Sequence, residues 1–235
     1  MAKKLKRRTK KIEEPKESVV FKEIRDRFVR NWRLFTLAAI LLAVLAGGIV
    51  WWRASLRERE SRASFLLSQG VERLKEAEGL SGKEADGAYR DALERLTDLL
   101  KRYPSTESGR LALIYAGRCL SRMGRYGEAI QKYQKFLSKD GGKPLCRCLA
   151  LEGLGYAYLH EKKYEEALAS FKELGGLDQC FLGGESILGL ARTYEGMGRD
   201  KEALKAYKDF LSRYPDAAES DLIKRRVALL EEKLR

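Results

Sequence analysis

Three hydrophobic patterns succeed one another along the chain. Residues 1–33 are crowded with charge and hold only scattered apolar positions. From Leu34 to Trp52 the run LFTLAAILLAVLAGGIVWW contains no charged residue at all. Beyond it, apolar residues recur every three or four positions, the spacing that puts them on one face of an α-helix.

The uncharged run predicts one transmembrane helix over 34–52. At 1.5 Å per residue it reaches about 28 Å, close to the roughly 30 Å of bilayer hydrocarbon. Arg33 and Arg53 bracket it, and Trp32, Trp51 and Trp52 stand where amphipathic rings meet lipid headgroups. The basic segment ahead of it is far longer than the n-region of a cleaved signal peptide. No polar face suits it to a buried core helix. Ala39, Ala43 and Gly47 form a smooth stripe fit for close helix packing in a bilayer.

After the span, Leu56, Ala63, Leu67, Val71 and Leu74 predict a juxtamembrane helix over 53–80. Self-similarity then takes over. The blocks GRYGEAIQKYQKFL (124–137), KKYEEALASFKEL (162–174) and GRDKEALKAYKDFL (198–211) each set an Ala between an acidic and an aliphatic residue, at Ala129, Ala167 and Ala203. An aromatic follows four residues later, at Tyr133, Phe171 and Tyr207. A small residue precedes the Ala by twelve, at Gly117, Gly155 and Ala191. This predicts one helix–turn–helix per unit, with small residues letting two helices approach and aromatics filling the gap to the next unit.

The pattern resembles the tetratricopeptide repeat. Leu154, Gly155, Tyr158, Tyr164, Ala167 and Phe171 match its consensus in one unit, and Leu190, Ala191, Tyr194, Gly198, Ala203, Tyr207 and Pro215 in the next. A weaker unit has Ala116, Gly117, Gly124, Tyr126, Ala129 and Tyr133. A degenerate first unit is marked by Tyr89, Ala92, Leu96, Leu99 and the Tyr103-Pro104 end. The resemblance implies an all-α fold, a tetratricopeptide repeat α-solenoid of three to four units over 81–214, preceded by one transmembrane helix. Residues 215–235, with Ile223, Val227, Leu230 and Leu234 in one stripe, read as a capping helix. The glycine pairs Gly141-Gly142, Gly175-Gly176 and Gly183-Gly184 read as turns between helices, not as a phosphate-binding loop.

In this family the first helix of each unit lines a concave groove. That analogy places Ile114, Arg118, Ser121 and Arg122 of one unit, Glu152, Tyr156, Leu159 and His160 of the next, and Leu188, Arg192 and Glu195 of the third on the exposed groove. Three arginines beside Tyr156 suit a peptide carboxylate or an acidic segment, because guanidinium groups pair with carboxylates through two hydrogen bonds. The Asn and Lys positions of the family's two-carboxylate clamp are not filled by those residues here.

Composition narrows the function. The 235 residues carry a net charge of +13, with 44% apolar and 34% charged residues, one His and four Cys. A single His160 and no motif joining nucleophile, base and orienter leave no catalytic constellation, so no enzyme, cofactor or metal is expected. Among the cysteines, Cys146 or Cys148 enters the third unit while Cys180 leaves it, so a bridge to Cys180 is expected if the repeats sit in an oxidising space. Cys119 reads as a buried thiol.

Charge also orients the chain. Residues 1–33 hold 13 Lys or Arg against 5 Asp or Glu. The positive-inside rule keeps that tail cytoplasmic, where residues 1–33 are expected to lack regular structure, and exports the repeats. No aromatics interleave with the first lysines, so a nucleic-acid partner is not expected. The whole layout resembles the YfgM-like family of ancillary subunits of the bacterial Sec translocon. That resemblance implies a single-pass inner-membrane protein with periplasmic repeats that bind proteins, with the translocon and periplasmic chaperones as partners. A cytoplasm-facing adaptor, or a periplasmic scaffold of envelope assembly or cell division, are the alternatives.

Overall fold

The computed structural model describes residues 16–138, 143–177 and 180–235. Gly141 and Gly142, expected in a turn, and the first fifteen residues of the tail lie outside the described residues. The chain divides into two compact units, 1–56 and 57–235.

The first unit contains α1 (Lys16–Arg30) and the start of α2 (Trp32–Glu78). Residues 1–33 are expected to lack regular structure, yet α1 occupies Lys16–Arg30. Its apolar positions sit at helical spacing, Phe21 and Ile24 among them, a signal masked by the charge around it. In α2 the apolar stretch has a mean hydropathy of 2.4 and none of it is buried. The helix is long and apolar enough to cross a membrane.

The second unit is a stack of antiparallel helices. It comprises the remainder of α2, α3 (Gly82–Arg102), α4 (Glu107–Arg122), α5 (Tyr126–Leu137), α6 (Pro144–His160), α7 (Tyr164–Gly175), α8 (Gly183–Gly196), α9 (Asp200–Arg213) and α10 (Ser220–Lys233). Each helix packs on the next from α3 to α10, and α4, α6 and α8 also pack side by side, forming one wall of a solenoid.

The expected small residues make the close approaches. Ala92, Ala129, Ala167 and Ala203 are fully buried. A Cβ added to Gly117 would lie 2.7 Å from the ring of Tyr133, and one added to Gly155 would lie 2.8 Å from the ring of Phe171. Those rings also press on the following unit. A Cβ at Gly153 would meet Tyr133 at 2.4 Å, and one at Gly189 would meet Phe171 at 2.3 Å. Each aromatic is therefore wedged between two glycines, one from its own unit and one from the next. Burying such a side chain stabilises by roughly 1.5–3 kcal/mol.

The turns between α4 and α5, α6 and α7, and α8 and α9 are built alike. The amides of Arg125, Lys163 and Arg199 donate to the carbonyls of Leu120, Tyr158 and Tyr194 at 2.8, 2.9 and 2.8 Å. This closes the helix end with a left-handed residue in between. Two units use Gly124 and Gly198 there, and the third uses Lys162, with φ of 58°. A side chain in that region costs about 1 kcal/mol.

One boundary moves. Residues 53–80 were expected as a separate juxtamembrane helix and 81 as the start of the repeats. Instead, the second half of α2 is the first helix of the first unit: Ala63, Leu74 and Ala77 join the core formed with α3 and α4. A Cβ on Gly70 would lie 2.8 Å from Leu96, the same relation that Gly117 has to Tyr133.

Candidate functional site

The wall formed by α4, α6 and α8 encloses an open cavity of about 650 Å³. Ile114, Arg118, Ser121 and Arg122 reach it from α4, Glu152, Tyr156 and His160 from α6, and Arg192 from α8. Eight of the residues expected on the groove are thus brought together. Residues one turn apart on a helix share a face, which is why Glu152, Tyr156 and His160 stand in a row.

Three expected residues lie elsewhere. Leu188 is 1% exposed and packs with Ala191, Tyr207 and Phe210, so it serves the core and its groove assignment is corrected. Leu159 packs against the cluster around Cys148, Leu151 and Phe171. Glu195 accepts a hydrogen bond from the Tyr207 hydroxyl at 2.9 Å and pairs with Arg226.

The cavity is wired internally. The Tyr156 hydroxyl donates to Glu185 Oε2 at 3.0 Å and accepts from Arg192 Nη1 at 3.0 Å. The Arg192 guanidinium also lies 5.6 Å from the centre of the Tyr156 ring. Burial raises the Tyr156 phenol well above its ordinary value, against the pull of Arg192. Tyr156 therefore stays neutral and works as a donor. Arg118 is held by Glu78 of α2 at 2.6 Å. Burial and the neighbouring Glu185 raise the Glu152 carboxyl, with Arg118 opposing them. His160 stacks flat on Tyr126, with ring centres 4.4 Å apart.

Family positions alone missed Tyr115, Tyr126, Tyr133, Glu185 and Glu219, which also line the cavity. Tyr126 and Tyr133 belong to second helices, and Glu219 to the segment before α10, where the first-helix rule does not look. Glu185 lies on α8 two turns ahead of Arg192 and so on the same face, and a helical projection of α8 would have found it.

Cys148 and Cys180 form a disulfide that ties α6 to the segment between α7 and α8. Of the two expected candidates for pairing with Cys180, Cys148 is the partner and Cys146 is a free thiol. Burial raises the Cys146 thiol, and Cys119, fully buried, is pushed up to about 12. Among the described residues no three His, Cys, Asp or Glu side chains converge as metal ligands would.

Comparison with known proteins decides the family. Tetratricopeptide repeat families match residues 83–144, 150–179 and 185–217. The chain is a tetratricopeptide-repeat protein. Its repeats superpose on a tetratricopeptide repeat protein from Parabacteroides merdae with a TM-score of 0.56 at 16% identity, over 73% of this chain and 60% of that one. They also superpose on MamA from Desulfovibrio magneticus RS-1, with a TM-score of 0.52 at 16% identity, over 73% of this chain and 96% of that one. The chain therefore spans less than two thirds of the Parabacteroides protein. No curated protein matches the sequence. At these identities the solved structures share the repeat fold, a scaffold for binding other proteins.

Proposed function

We propose that the cavity across α4, α6 and α8 binds an extended protein segment through its carboxylates, and that the chain presents this groove on the exported face of a bacterial inner membrane. The observation that carries the reading is the gathering of Arg118, Arg122 and Arg192 around Tyr156 in one open cavity. Arg192 already holds a hydroxyl by hydrogen bond, and Arg122 is exposed. Glu152, Glu185 and Glu219 line the same cavity, so the preference for acidic over basic segments rests on exposed Arg122. In this reading α2 crosses the bilayer through Leu34 to Trp52, the basic tail stays inside, and the scaffold serves protein export as the YfgM-like resemblance implies. The Cys148–Cys180 disulfide favours an oxidising compartment over the cytoplasm-facing alternative.

Two measurements test this. A fluorescent peptide ending in several Asp and Glu residues is titrated into the purified chain beside a lysine counterpart. The double variant Arg122→Glu and Arg192→Glu is expected to weaken the acidic peptide by tenfold or more, since about 1.4 kcal/mol is a factor of ten. Equal binding of both peptides, or an unchanged affinity in the variant, sinks the groove assignment. Protease added to spheroplasts is expected to reach the repeats, and full protection would place them in the cytoplasm.

A further inference from the structure

The helix ahead of the span carries a second surface. Within α1 each residue advances about 100° around the axis. In that register Val20, Phe21, Ile24 and Phe28 fall within an arc of roughly 100°, interrupted by Glu17 in the first turn, where a helix dipole favours an acid. Phe21 and Ile24 are 75% and 61% exposed, so this unit supplies nothing to cover them. Arg25 and Arg27 stand on opposite borders of the arc. Lys22, Glu23, Asp26 and Arg30 share the far side with Val29, which lies between Arg25 and Lys22, and Asp26 pairs with Arg25 at 3.5 Å. α1 ends one residue before α2, whose uncharged stretch begins two residues further on.

We propose that α1 lies in the plane of the membrane as an interfacial helix, with its apolar arc among acyl chains and Arg25 and Arg27 on anionic lipid headgroups. An apolar arc bordered on both sides by arginines is the layout of such helices, because the guanidinium can rise to the phosphates while its stem stays in hydrocarbon. Tethering sharpens the effect: a helix joined to a span by one residue meets the headgroup layer at high effective concentration, so a short arc suffices. RNA fits the helix less well. Bases stack on aromatics set among the cations, whereas Phe21 occupies the apolar arc. The inference goes beyond the groove reading and rests only on α2 being a span.

The test uses the full-length chain with Cys146→Ser, Cys119 being buried, reconstituted in phosphatidylcholine vesicles with and without phosphatidylglycerol. Nitroxide labels are placed singly through F21C, K22C, E23C, I24C and D26C, with L42C as a reference inside the span. Collision with oxygen and with a water-soluble nickel chelate is then measured. With phosphatidylglycerol present, labels at 21 and 24 are expected to be oxygen-rich and shielded from nickel, and those at 22, 23 and 26 the reverse. Each of Arg25→Gln and Arg27→Gln is expected to lower the seated fraction's equilibrium constant about fivefold. Nickel access at 21 and 24 while 42 stays shielded overturns the proposal, as does a pattern indifferent to phosphatidylglycerol or one that appears only on adding polyuridylate. Nickel access at 42 removes the span and the proposal with it.

Discussion

In the interior of the array, Tyr133 is wedged between Gly117 and Gly153, and Phe171 between Gly155 and Gly189. At the ends, neighbouring helices add charge pairs to their buried apolar contacts. On α2, the Glu60 carboxylate accepts hydrogen bonds from the amides of Glu107 and Ser108 at 2.8 and 2.9 Å and from the Ser108 hydroxyl at 2.6 Å, seating the start of α4. Arg73 and Asp91 pair at 2.8 Å nearby. At the other end α10 is pinned by Arg226 on Glu195, Lys208 on Glu231 at 2.5 Å and Lys233 on Asp200 at 2.6 Å. The difference follows from position. An interior unit has a neighbour on both sides and can bury a ring completely, whereas a terminal helix packs through one face only and has a wet rim where charge pairs form. Shape holds the two wedges of the middle whatever the pH and salt, whereas the ends add to their buried apolar contacts pairs that pH and salt can weaken.

The largest effect is expected from Phe171→Ala. This ring is fully buried and touches helices of two units, so its removal opens a cavity that flanking glycines cannot fill. A loss of about 3–5 kcal/mol is expected in urea unfolding. The loss should be equal at low and high salt, and a salt-dependent loss would mean that interior and ends are not held differently after all.

The sequence pattern carried much of this interior. The period of the Ala and aromatic positions located α4 to α9, because a small residue opposite a ring is a local requirement within one unit. The second wall of each wedge, Gly153 and Gly189, escaped notice, since it depends on how one unit is rotated on the next. The first helix of the first unit was hidden for another reason. Gly70 stands 22 residues before Ala92 where the other units have twelve, and α2 runs on from the uncharged stretch with no break to mark a new element. In the cavity, projection of family positions found Arg118, Tyr156 and Arg192 but assigned Leu188 to the groove. An aliphatic residue on a first helix serves either face, and only the neighbouring Tyr207 and Phe210 show that it points inward.

The N-terminal clamp offers a smaller and pH-dependent effect. Burial raises the Glu60 carboxyl, but the hydrogen bonds from Ser108 and Glu107 outweigh it and hold the group below its ordinary 4.5. A carboxyl lowered on folding contributes stability above its unfolded value, and loses it as pH falls through the lower folded value. Glu60→Gln is therefore expected to cost about 1 kcal/mol at neutral pH, the scale of a lost helix cap, and nothing once the wild-type carboxyl is protonated. Urea midpoints from pH 7 to 3 check this. Parallel curves for the two proteins would show that the clamp is packing and not charge.

The smallest expected effect lies at the other end. Arg226 is half exposed, so its pair with Glu195 is open to screening, and Arg226→Ala should cost no more than about 1 kcal/mol. The informative quantity is where the loss appears. Amide exchange should quicken within α10 while Phe171 and its neighbours keep their protection, because an array of units opens from its ends. Salt at about 1 M, where the screening length shrinks to about 3 Å, should bring wild-type α10 towards the variant and leave the interior alone. If exchange quickens evenly from α4 to α10, the units open as one body, and the contrast between wedged interior and charged ends would not govern how the array comes apart.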